Sequence, residues 1–153
     1  MLTTSFRRSV RPLAARLAAL GATPERLRRS VFGQLHREMR GWTAASFRRA
    51  YVGKGHGGQR RAFKVKFLGE GVNDYGGPYR EALAQICAEL HSETLPLLVR
   101  SPNCVHGAGG NREVYVPNPS ALGANELDWY CFVGQLLGLA LRQRETQVHT
   151  GRH

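Results

Sequence analysis

The longest apolar stretch, Trp129 to Leu141, is interrupted only by Gly134, Gln135 and Gly138. It is too short to cross a bilayer, which takes about 20 apolar residues. It is also apolar almost all round, so it predicts a helix with neighbours on several sides. A second helix is predicted from Pro78. Its apolar positions Tyr79, Ala82, Leu83, Ile86, Cys87 and Leu90 follow three-four spacing. Two helices of this kind need a shared core, and a chain of 153 residues is long enough to enclose one.

Strands fill part of the remainder. Phe63-Lys64-Val65-Lys66-Phe67 alternates apolar and basic residues, the period of a half-buried strand. Leu95–Arg100 and Glu113–Pro117 predict a hairpin, joined by a long mobile loop over Ser101–Asn111. Asn118-Pro119-Ser120 predicts a turn. Asn125 is placed to cap the last helix, with Asp128 three residues on in the capping-box position. That helix is expected to end near Arg144. The fold class is therefore α+β, mostly helical, with a short strand and a hairpin.

Ahead of the strand the chain changes character. Residues 1–61 hold 14 basic and two acidic side chains, net +12, while residues 62–153 are close to neutral. A helix is predicted over residues 12–20. A second starts at Thr23-Pro24 and runs to about Arg40, its stripe being Leu27, Val31, Leu35 and Met39. A further short helical piece is expected over Thr43–Val52. Gly53 to Gly58 fits G-x-G-x-x-G, but a helical pattern precedes it and a strand pattern follows it. That is the reverse of a dinucleotide-binding loop, so the segment reads as a linker. The division is a basic helical arm and Gly-rich linker over residues 1–61, a body over 62–146, and a disordered tail over 147–153.

The arm also bears on location. Met1 to Pro24 has four arginines, hydroxyl residues and no acid, the composition of a mitochondrial presequence. Against it, three unpaired cysteines (Cys87, Cys104, Cys131) suit a reducing compartment, cytoplasm or nucleus. The arm's charge would favour non-specific contact with a polyanion. That makes a nucleic-acid- or anionic-surface-binding module the alternative function, beside a non-catalytic regulatory fragment.

The body has the more specific signature. Gly69 to Gly77 is rich in glycine and leads into the helix from Pro78. Phe63–Glu70, Gly71–Glu81, Tyr115–Pro119 and Tyr130–Leu141 follow one another in an order that resembles the start of the amino-terminal lobe of a HECT-type ubiquitin-protein ligase domain. The matching residues are Gly69 and Glu70 closing the strand, then Asp74, Gly76, Gly77, Arg80 and Glu81 at the turn into the helix. Asn118 and Pro119 follow in the second turn, and Phe132, Gly134, Gly138 and Ala140 in the last helix. Arg29–Arg49 is similar, less specifically, to the basic helical run before such domains. Gly134 and Gly138, four apart, make a flat strip where another element can approach.

The resemblance implies a parent enzyme that takes ubiquitin from a ubiquitin-conjugating enzyme onto a catalytic cysteine and passes it to a protein lysine. By the same resemblance the conjugating-enzyme site and the catalytic cysteine belong downstream of Glu145. The expected function is therefore that of a ligase fragment, inactive alone, with no catalytic, cofactor-binding or metal-binding residue assigned. Cys87 and Cys131 are expected as buried small hydrophobes and Cys104 as a loop thiol. Cys87, His91, Cys104 and His106 offer metal-binding atoms, but their spacing matches no compact zinc site. Arg80 and Glu81 are expected to tie loop to helix.

Overall fold

Two helices, not one, occupy residues 23–39 in the computed structural model, which describes residues 3–6, 23–51, 61–68 and 77–149. They are α1 (Thr23–Arg29) and α2 (Val31–Met39). The break is at Ser30, whose backbone is extended (φ −63°, ψ 153°). Its hydroxyl donates to the Leu27 carbonyl at 2.7 Å and accepts from the Gly33 N–H at 2.8 Å. A side chain on Gly33 would run into the Leu27 carbonyl, so the two helices meet where only glycine fits.

The first N–H groups of a helix have no partner within it. In α2 each has one elsewhere. Ser30 N–H donates to the Arg26 carbonyl at 3.0 Å. Val31 and Phe32 N–H donate to the two carboxylate oxygens of Glu89, each at 2.9 Å. Glu89 is 1% exposed and comes from α4 (Gly77–Leu90). The expected stripe holds behind this cap: Val31, Leu35 and Met39 are buried, with Phe32, and Leu27 packs partly buried against them.

The short piece after α2 is α3 (Ala44–Phe47), capped by the Thr43 hydroxyl. Strand β2 (Lys64–Phe67) turns Val65 and Phe67 inward and leaves Lys66 exposed, as the alternation predicts. It pairs in parallel with β1 (Thr3–Phe6), in register Thr3 to Lys64 through Phe6 to Phe67. That pairing was not expected from the sequence. An antiparallel bridge joins Tyr51 to Arg61.

The hairpin is β3 (Leu98–Arg100) and β4 (Tyr115–Pro117), antiparallel, with Val99 opposite Val116. Its connector is not the open loop expected. Residues Pro102–His106 form α5, capped by Ser101 and ended by Gly107 in the left-handed region at φ 65°. The Asn103 amide donates to the Gly110 carbonyl at 2.8 Å, closing the connector on itself.

The last helix, α6, runs from Ala124 to His149. Asn125 is not its cap: it lies inside the first turn, where Leu127 N–H donates to the Gly123 carbonyl. The helix continues past the expected end near Arg144, so the expected tail is helical as far as His149. One core joins α2, β2, α4, the residues leading into the hairpin and α6, through Phe32, Phe63, Val65, Ile86, Leu95, Leu97, Phe132 and Leu136 among others. Among the described residues no helix is long and apolar enough to cross a membrane. The readings over residues 7–22, 52–60, 69–76 and 150–153 lie outside the described residues.

Removing the Glu89 carboxylate leaves two buried N–H groups without an acceptor. Glu89→Ala is expected to lower the unfolding free energy by about 2–4 kcal/mol, at about 1–3 kcal/mol for each unpaired donor less what entering water recovers. Ser30→Ala should cost about 1 kcal/mol, the usual loss for a cap. Urea unfolding measures both. A Glu89→Ala change within about 0.5 kcal/mol, the range of ordinary surface substitutions, would contradict the assignment.

Candidate functional site

The motif residues that the structure brings together lie where the hairpin meets α6. Asn118 is held by every polar atom it has. Its N–H donates to the Leu97 carbonyl at 2.9 Å and faces the Tyr130 hydroxyl at 3.1 Å. Its side-chain amide donates to the Pro96 carbonyl at 2.8 Å and accepts from Ser120 N–H at 3.0 Å. Tyr130, on the first turns of α6, donates its hydroxyl to the Leu97 carbonyl at 2.6 Å. Asparagine suits the position because one end of its amide donates and the other accepts. An aspartate would set a carboxylate against the Pro96 carbonyl.

Phe132 is buried and packs edge-on against Phe32 (centroids 5.4 Å apart) and His36 (5.2 Å). His36 Nε2 lies 2.8 Å from an Asp128 carboxylate oxygen. Asp128 therefore reaches across to α2 and does not close a capping box on its own helix. The aromatic group and this contact fasten α6 to the helix that Glu89 caps.

The opposite face of α6 is open. A Cβ added at Gly134 or at Gly138 would meet nothing within 4 Å. Beside them Leu127 is 51% exposed, Leu137 60% and Leu141 65%. The flat glycine strip is thus present, and no described residue approaches it.

The cysteines differ from expectation. Cys87 and Cys131 are exposed, not buried. Each lies one residue outside a buried stripe, Cys87 beside Ile86 and Cys131 beside Phe132, so helical spacing alone put them near the core but one step off it. Cys104 sits on α5, partly exposed, with the Arg100 guanidinium 4.0 Å from its sulfur. Cys104, and then Tyr115, hold the Arg100 guanidinium above its ordinary pKa. Arginine cannot take up a proton, so Cys104 has no base in this contact. Among the described residues no three His, Cys, Asp or Glu side chains converge to hold a metal.

At the start of α4, Gly77 opens the helix and Arg80 is exposed. Glu81 accepts from the Gln85 side chain at 2.8 Å, a bond within the helix. Gly69, Glu70, Asp74 and Gly76 lie outside the described residues, and with them the expected tie of Arg80 and Glu81 to that loop. The residue missed by sequence reasoning is Glu89. Its signal was available: it continues the spacing Tyr79, Ala82, Ile86, so an acid stands on the buried stripe of α4. Arg61 is the second. It is 1% exposed, and its guanidinium lies over the Tyr79 ring, 5.6 Å from the centroid.

No family model and no solved structure matches the chain. Curated relatives do. The mouse (Mus musculus) E3 ubiquitin-protein ligase HERC2 is 38% identical over 114 residues, 74% of this chain, and the human (Homo sapiens) protein of that name matches to the same extent. The human probable E3 ubiquitin-protein ligase HECTD4 is 37% identical over 81 residues, 53% of the chain. The chain spans about 2% of the length of each of these relatives. The α+β fold and these similarities agree with a partial HECT amino-terminal lobe.

Tyr130→Phe deletes the bond to Leu97 and the partner of Asn118 while keeping the ring. It is expected to destabilise by about 1–2 kcal/mol, the cost of removing a hydrogen bond from a partly buried site. Thermal unfolding followed by circular dichroism measures it. An unchanged melting temperature would mean that the turn does not depend on this hydroxyl.

Proposed function

We infer, for a chain that carries part of a HECT-type amino-terminal lobe, that it serves as a structural segment of a larger ubiquitin-protein ligase and transfers no ubiquitin by itself. The observation that supports this most is the similarity to ubiquitin-protein ligases over 74% of the chain, combined with a span of 2% of their length. In the parent enzyme a cysteine thiolate would attack the thioester carbonyl of a loaded ubiquitin-conjugating enzyme and release that enzyme's thiol. A substrate lysine amine would then displace the cysteine. Ubiquitin and the conjugating enzyme are partners of that parent, in the cytoplasm or nucleus, with the mitochondrion as the lesser alternative.

The residues present are suited to packing, not to this chemistry. Asn118 and Phe132 fix a turn and a helix crossing. Among the described residues no side chain is hydrogen-bonded to the Cys87 or Cys131 thiol, and Cys104 meets a guanidinium. Transfer through a cysteine also needs a base to handle the proton, and the Arg100 guanidinium, a cation that favours a thiolate, supplies none. The open face of α6, with Gly134 and Gly138 at its centre, is where the rest of the lobe would pack.

Mixed with activating enzyme, conjugating enzymes, ATP and ubiquitin, the chain is expected to form no ubiquitin adduct that thiol removes. Paired non-reducing and reducing gels read this. A thiol-sensitive band, shifted by one ubiquitin and lost in Cys104→Ala, would overturn the reading and make Cys104 a nucleophile. A band that survives reduction marks a lysine acceptor and leaves the reading standing.

A further inference from the structure

The arginines of α1 to α3 supply exposed charge that the lobe reading does not use. From Glu25 to Tyr51 there are seven arginines, two glutamates and no lysine. Arg28, Arg29, Arg37, Arg40, Arg48 and Arg49 are exposed. One carboxylate, Glu25, serves both Arg28 at 3.6 Å and Arg29 at 2.7 Å. The Arg37 guanidinium donates to the Arg28 carbonyl at 2.9 Å, which holds it over the end of α1. Arg40 is three residues on, along the same side of α2. Among the described residues no carboxylate lies within ion-pair distance of Arg37, Arg40, Arg48 or Arg49. A cation at a helix C-terminus suits the dipole, but that accounts for one charge at each end and not for six.

We propose that these arginines bind the phosphodiester backbone of duplex nucleic acid without reading its sequence. Their charge comes with no apolar anchor. Among the described residues the large exposed apolar side chains lie outside residues 25–51, at Leu68, Val99, Val105, Val114, Leu122, Leu127, Leu137 and Leu141. A protein interface draws its affinity from a buried apolar or aromatic centre, which is lacking here. Insertion into a membrane surface needs an apolar helix face, and that of α2 is already buried in the core. Single-stranded nucleic acid is held by stacking on exposed aromatic rings. Here Trp42 packs on Phe47 (5.5 Å) and Phe63 (6.1 Å), and Phe32 is buried. What remains is a set of exposed cations, each able to neutralise one phosphate. Contacts of that kind position a protein on a duplex and carry no base information.

The full chain is titrated against fluorescein-labelled duplexes of about 20 base pairs, in two unrelated sequences, and anisotropy is read from about 25 to about 200 mM salt. Both sequences are expected to bind within about twofold of each other, with log affinity falling against log salt at a slope of about −3 or steeper. The triple change R37Q/R40Q/R48Q should weaken binding at least about tenfold and flatten the slope by about 2–3, near 0.9 for each phosphate no longer neutralised. R37K/R40K/R48K keeps the charge and should bind within about threefold of the native chain, so it decides the matter if the glutamine variant fails to fold. No binding by the native chain at low salt overturns the proposal. So does an unchanged affinity in the glutamine variant, a loss in a folded lysine variant, or tighter binding to phosphatidylserine vesicles than to duplex.

Discussion

The contact on which the rest depends is the Glu89 carboxylate under the amino terminus of α2. A carboxylate taken out of water is costly unless its oxygens are paired. Here each oxygen accepts one N–H, from Val31 and from Phe32, at the positive end of a helix. The bond fixes two things together. It sets the depth at which α4 lies against α2, and it holds the backbone of Phe32, whose ring is the platform for Phe132. The placement of α6 therefore follows from a hydrogen bond that α6 does not make. The hairpin is added from the other side, through Asn118 and the Tyr130 hydroxyl.

Because α6 is tied down along one side, its two faces have different fates. Phe132, Leu136 and Leu139 close the core, while Leu127, Leu137 and Leu141 face outward around two glycines. A helix apolar on both faces has one of them left uncovered by the described residues. This is the physical counterpart of a chain that matches ubiquitin-protein ligases far longer than itself.

Much of this could be read from residue order. The stripe of Val31, Leu35 and Met39, the alternation of β2, the helix over Tyr79–Leu90 and the hairpin strands all follow from apolar spacing, because burial selects for it. The misreadings have two causes. Some were local polar signals: Ser30 splits a helix and Ser101-Pro102 starts one, and each is a cap whose hydroxyl outweighs the surrounding pattern. The others were long-range. The Glu89 cap spans 57 and 58 residues and shows locally only as an acid on the buried stripe of α4, while the parallel pairing of Thr3–Phe6 with Lys64–Phe67 joins the start of the arm to the body and leaves no trace in any short window. Cys87 and Cys131 show the resolution limit of helical spacing, since one residue, about 100° around the axis, separates core from solvent.

The claim that a buried carboxylate from α4 organises α2 is tested most directly at the two amides it accepts. First-turn amides of a surface helix have no partner in the helix and exchange readily. If the account is right, Val31 and Phe32 amide protons exchange with solvent as slowly as that of Ile86 in the middle of α4, since both require the same opening. If they exchange at the rate of unprotected amides while Ile86 stays protected, the carboxylate is not holding that helix end, and the account of how this chain is assembled is wrong.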